Sequence, residues 1–190
     1  MTTLELSDEA PARPAPLPIG APGPPFEGLP ATDGRRLGFP DFAADELVVL
    51  IFSSNRCPTA KAYGARMNAL QRDLGPRGVR LVVINSNDPH LYPDEDQARM
   101  VERAEDDGYT FPYLADRDQR VAAAYGATCT FHVFVLDRDR RIRYEGRFDD
   151  SRIEANVTHN DLRDAIDDLL AGRDVRVATT RPFGCSLDYV

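Results

Sequence analysis

Cys57 stands where an apolar run over residues 47–52 passes through Ser53-Ser54-Asn55-Arg56 into Cys57-Pro58-Thr59-Ala60 and a helical pattern. A thiol at the first turn of a helix meets unpaired backbone N–H groups and the positive end of the helix dipole, and both favour thiolate over thiol. That is the chemistry of a nucleophilic or peroxide-reactive cysteine. The chain carries two further cysteines, Cys129 and Cys185, and three histidines, His90, His132 and His159. An odd cysteine count in a reducing compartment points to reactive or buried thiols rather than a disulfide framework. The histidines have no ligand spacing among themselves and read as satisfied polar residues. The acidic clusters Asp94-Glu95-Asp96, Glu105-Asp106-Asp107 and Asp167-Asp168 read as solvated helix ends and faces, not as a catalytic carboxylate pair.

The elements that must hold Cys57 are legible on either side of it. Residues 47–52 are a continuous apolar run, short and rich in branched side chains, which predicts a strand covered on both faces. After Pro58 the positions Ala62, Ala65, Met67, Ala69, Leu70 and Leu74 recur at helical spacing until Gly75-Pro76 ends the segment, so Cys57 is the N-cap or its neighbour. Residues 79–85 predict a second buried strand, and Asp94-Glu95-Asp96 open a helix that ends near Gly108. A short helix over 119–125 closes at Gly126, strands over 131–136 and 141–148 flank a polar turn at 137–140, and an amphipathic helix spans 161–170. Upstream, Asp33-Gly34 marks a small hairpin within 26–42, and eight prolines between positions 10 and 30 make an extended leader. No internal repeat interrupts this order.

At 190 residues and 42% hydrophobic content the chain can bury a real core without a cofactor or a disulfide staple. We expect a flexible leader over 1–16 and a single domain over 17–187. The formal net charge of -8, from 31 acidic and 23 basic residues, excludes nucleic acid and anionic membrane as general partners, since both require a positive face. The first ten residues lack a basic and apolar leader pattern, and no apolar run is long enough to span a bilayer, so the expected compartment is the cytoplasm.

Strands alternating with helices, then an antiparallel pair and a terminal helix, describe an α/β chain with a mixed central sheet and helices on both faces. This arrangement resembles the thioredoxin fold, and within it the redoxin branch that holds the peroxiredoxins and the bacterial peroxiredoxin-like proteins of the alkyl hydroperoxide reductase and thiol-specific antioxidant group. The resemblance runs over residues 17–187. It is carried by Gly20-Ala21-Pro22-Gly23-Pro24-Pro25-Phe26, the turn at 52–63, Val83-Ile84-Asn85-Ser86-Asn87-Asp88 and Phe111-Pro112-Tyr113-Leu114-Ala115-Asp116. Ala124-Tyr125-Gly126-Ala127-Thr128-Cys129-Thr130 and Phe183-Gly184-Cys185-Ser186 complete it.

What the resemblance implies is a thiol-dependent oxidoreductase that reduces a peroxide or a disulfide and is recycled by a thiol reductant, with no cofactor and no metal. Ser54 stands where many relatives carry the first cysteine of a Cys-x-x-Cys pair, so exchange within the motif is impossible, and Ser54-x-x-Cys57 mimics the Thr-x-x-Cys of peroxiredoxins. Phe131 replaces the usual cis-proline, and a trans Thr130-Phe131 bond is expected because a cis bond there costs about 2.5 to 4 kcal/mol. Cys57 is the attacking thiolate, assisted by Arg56 and by the amides of Thr59 and Ala60, since Pro58 has no N–H to give. Cys129, on the facing loop, is the expected resolving thiol, with Cys185 as the alternative if the tail folds back. Two other readings stay open: a thioredoxin-fold binding or regulatory module without turnover, and a metal binder using Cys57, Cys129 and Cys185 or His132. Self-association through sheet edges or helix faces is also left open.

Overall fold

The computed structural model describes residues 17–189; the leader expected over 1–16 lies outside them. The predicted hairpin is present as β1 (Leu29–Pro30) and β2 (Arg36–Leu37), paired antiparallel. Then follow β3 (Leu47–Ser53), α1 (Pro58–Leu74), β4 (Val79–Asn85), α2 (Gln97–Asp106), β5 (Tyr113–Ala115), α3 (Arg120–Tyr125), β6 (Val133–Leu136), β7 (Ile142–Gly146) and α4 (Asp161–Leu170). Strands 3 to 7 form one sheet in the order β5-β4-β3-β6-β7, parallel between β3, β4 and β5 and antiparallel from β3 to β6 and β7.

β3 is central and buried along its whole length, because its alternate residues face two separate apolar layers. On one face Val49 and Ile51 pack with Tyr63, Met67 and Leu74 of α1, Met100 of α2 and Leu162 and Ile166 of α4. On the other, Leu50 and Phe52 pack with Val121 and Tyr125 of α3 and with Phe26, Phe42 and Leu187. The mixed sheet covered by helices on both faces is thus the one the element order called for.

Both outer strands carry further chain. Ala31 bridges to Leu114 of β5, and the amide of Thr32 donates to Tyr113 O at 3.0 Å. Along β7, Gly20 N donates to Ile142 O and Ile142 N to Ala21 O, while Glu145 N donates to Ala178 O and Thr180 N to Glu145 O. Gly146 allows that last approach: with φ +153° it has the left-handed freedom of glycine, and an added Cβ would sit 2.1 Å from Thr180 Oγ1. The segment after α4 therefore runs along the sheet edge and on toward Cys57.

Two acidic residues depart from the solvated role expected of them. Asp168 is buried, accepting from the guanidinium groups of Arg173 and Arg176, which hold its carboxyl down to about 2. Its pairing fastens the start of the tail to α4. Glu95 is buried as well, hydrogen-bonded to the turn before Cys57. No helix among the described residues is long and apolar enough to cross a membrane.

Candidate active site

The chain leaves β3 at Ser53 and enters α1 at Pro58, with Cys57 as N-cap in extended backbone and Pro58 in the first helical position, where a missing N–H costs nothing. Cys57 is 2% exposed and lines a cavity of about 340 Å³ together with Arg56, Asn87, Tyr92, Thr130 and Cys185. Its sulfur meets two side chains from elsewhere in the chain: Thr130 Oγ1 at 3.0 Å and the Cys185 thiol, which donates to it at 2.7 Å. Because Thr130 Oγ1 already accepts from Cys185 N at 2.9 Å, its own proton is available to Cys57.

Burial raises the Cys57 pKa, but bonds from the Cys185 thiol, the Thr130 hydroxyl and the Ala60 and Cys185 amides outweigh it and hold the thiol below its ordinary value. Cys185 is the reverse case. Burial and the neighbouring Cys57 push its thiol up to about 11. The proton is thus shared unequally, Cys57 favoured as thiolate and Cys185 as the hydrogen-bond donor. A counterintuitive result is expected: at pH 7 a small alkylating agent modifies buried Cys57 ahead of exposed Cys185, measured by peptide mass mapping after brief labelling. Preferential labelling of Cys185 would contradict the assignment of the thiolate.

Cys185 reaches this place because the tail folds back over the turn. Thr130 N donates to Cys185 O at 2.8 Å, Cys129 and Ser186 form an antiparallel bridge, and Leu187 is buried in the layer behind β3. Beyond it, Tyr92 donates to Asp188 at 2.8 Å and Tyr189 to Ala127 O at 2.6 Å. Of the two candidate partner thiols, the structure brings Cys185 to the Cys57 sulfur. Cys129 is buried in the facing loop, with Thr128 Oγ1 3.9 Å from its sulfur.

The facing loop takes a shape that a proline at position 131, with φ fixed at about -65°, could not adopt. The Thr130-Phe131 bond is not cis, and Phe131 adopts φ 60° in the left-handed region, donating to Phe52 O at 2.7 Å and stacking on Tyr63. His132 is satisfied as expected: its Nδ1 accepts from Thr128 N, so Nε2 carries the proton and donates to Glu145 at 2.5 Å. Among the described residues no group of three His, Cys, Asp or Glu side chains is placed to hold a metal ion.

The structure places the other expected site residues around the same turn. Ser54 Oγ accepts from the amides of Arg56 and Cys57 and donates to Glu95 at 2.5 Å; the hydroxyl at the sulfur is that of Thr130. The Arg56 guanidinium lies 4.2 Å over the Tyr92 ring, and both line the cavity. Thr59 is buried in the first turn of α1, and the helix amide that lowers the Cys57 pKa is that of Ala60. Thr130 and Glu95 were missed. Thr130 could have been found from its place one residue before the substituted proline, whereas nothing local distinguishes Glu95 from its solvated neighbours.

Comparison with known proteins gives the family and the fold. A family model described as the AhpC/TSA family matches residues 19–145. A crystal structure of a hypothetical protein from Sinorhizobium meliloti is similar at 35% identity and TM-score 0.86, covering 93% of this chain and 97% of that one. An uncharacterized conserved protein from Geobacillus kaustophilus is similar at 39% identity and TM-score 0.85, covering 91% and 93%. The peroxidoxin BcpB from Mycobacterium tuberculosis shares the fold, at 21% identity and TM-score 0.57 over 80% of this chain and 94% of that one. No curated protein matches the sequence.

Proposed function

Since the chain belongs to the AhpC/TSA family and is of thiol oxidoreductase type, we propose that it reduces a small peroxide through Cys57 and closes the cycle with Cys185. The observation that carries this reading is the contact of the two sulfurs at 2.7 Å with oppositely shifted acidities. The Cys57 thiolate attacks one peroxide oxygen, the O–O bond breaks, and the departing alkoxide or hydroxide takes a proton from solvent, leaving a sulfenic acid. That step removes the negative charge that raises the Cys185 pKa. Cys185 then attacks the Cys57 sulfur, its proton leaves with the displaced hydroxide as water, and a disulfide joins the two.

The difference in access sets the two substrates apart. Cys57, at 2% exposure beneath Cys185, is reachable from the cavity by a small hydroperoxide but is shielded from a folded protein disulfide. Cys185 is exposed, so an external dithiol attacks its sulfur and releases Cys57, the better leaving group because its thiol is the more acidic. The test is to treat reduced protein with one equivalent of hydrogen peroxide, block remaining thiols and map the peptides. A Cys57–Cys185 crosslink is expected, in wild type and in Cys129→Ser alike. A Cys57–Cys129 crosslink, or oxidation no faster than that of a free thiol, would rule the proposal out.

A further inference from the structure

Glu95 is 1% exposed and comes from the short helical turn before α2, 41 positions after Ser54. Its Oε1 accepts from Ser54 Oγ at 2.5 Å and Arg56 N at 3.2 Å, and its Oε2 from Asn55 N at 2.7 Å and Asn85 Nδ2 at 2.8 Å. None of these donors can reverse its role. The two amides have only protons to offer; Ser54 Oγ already accepts from the Arg56 and Cys57 amides; and Asn85 Oδ1 accepts from Asn87. A site made of four donors requires a carboxylate rather than a carboxamide. The segment that carries it is anchored in turn, since Arg117 donates to Glu95 O at 2.7 Å and Asn55 Nδ2 to Asp94 O at 2.8 Å.

The consequence for Cys57 is a matter of which amides reach its sulfur. The amides of Asn55, Arg56 and Cys57 are all turned into Ser54 and Glu95, while the donors that lower the Cys57 pKa are the Cys185 thiol, Thr130, Ala60 and the Cys185 amide. We infer that Glu95 is a positioning residue for the reaction, a buried anion that folds the 53–57 turn around itself and thereby sets the Cys57 sulfur against Thr130, Ala60 and the tail. The inference rests on the assignment of Cys57 as the attacking thiol and adds the group that places it.

The test is the pH profile of Cys57 alkylation, followed by peptide mapping, in wild type, Glu95→Gln and Asp94→Asn. Glu95→Gln keeps the shape of the side chain but turns an amino group toward two donors. Its profile is expected to move about one unit toward the free-thiol value, with at least a tenfold slower reaction with peroxide. Asp94→Asn removes the same charge from an exposed neighbour and should leave the profile in place. A wild-type profile for Glu95→Gln, or an equal movement in both variants, overturns the inference. If Glu95→Gln does not fold, as judged by near-UV circular dichroism, Ser54→Ala removes one of the four donors and must move the profile in the same direction by less; no movement overturns it too. Failure of the underlying assignment looks different, since wild-type Cys57 would then itself titrate as an ordinary thiol.

Discussion

Gly184→Ala should slow closure of the Cys57–Cys185 disulfide by about 10²-fold, as expected when reacting groups are displaced by an ångström or so. The tail crosses Thr130 so closely that a Cβ at position 184 would lie 2.0 Å from Thr130 O and 2.5 Å from its Oγ1. The neighbour being struck is backbone, which cannot swing aside as the end of a side chain could. The tail must therefore lift, and Cys185, the next residue, lifts with it. The reaction of Cys57 with peroxide is expected to continue, so sulfenic and then sulfinic acid accumulate where wild type forms the crosslink. Rapid-quench mass spectrometry of the two proteins reads both quantities. An unchanged crosslinking rate would show that the close crossing does not govern the placement of Cys185.

The second large effect is on stability. Cys57 and Cys185 are separated by 128 positions, so their disulfide would close most of the chain into one loop. On the chain-entropy account, a loop of this length stabilises the folded state by about 5 kcal/mol relative to an unfolded chain that is free to open. For a protein of this size that corresponds to roughly 10 °C or more in Tm. Calorimetry of Cys129→Ser, fully reduced and then oxidised with one equivalent of peroxide, should show the difference, and Cys185→Ser should show none. Equal melting of the reduced and oxidised Cys129→Ser protein would argue that no such loop forms.

The parts of the site that were legible are those written in local pattern. The 47–52 run, the helix ending at Gly75-Pro76 and the proline after Cys57 each declare their structure within a few residues, and together they place a thiol at a helix N-terminus. What surrounds that thiol was not legible, because it arrives from distant segments. Thr130 is 73 positions away, Cys185 is 128. Glu95 sits among acidic neighbours that are exposed or partly so, and its burial depends on donors from the reactive turn and from β4. A single sequence records the residue types but not which of them the fold will turn inward. The sequence left Cys185 as an alternative that required the tail to fold back, and the close crossing of Gly184 over Thr130 that permits this is visible only in the fold.

The terminal segments flanking the sheet also bear on how the protein behaves in concentrated solution. An unpaired outer strand is a template on which a second copy can add its own backbone, and such templates seed aggregation. Here residues 20–21 and 178–180 occupy the outward amides and carbonyls of Ile142 and Glu145, and the stretch at 31–32 does the same at β5. The segment that delivers Cys185 to the reactive turn thus doubles as a guard over a sticky border. A chain cut back before Ala178 would lose Cys185 and this cover over β7 in one step, so under the proposed cycle any loss of activity in such a truncation would carry a second cause besides the missing sulfur.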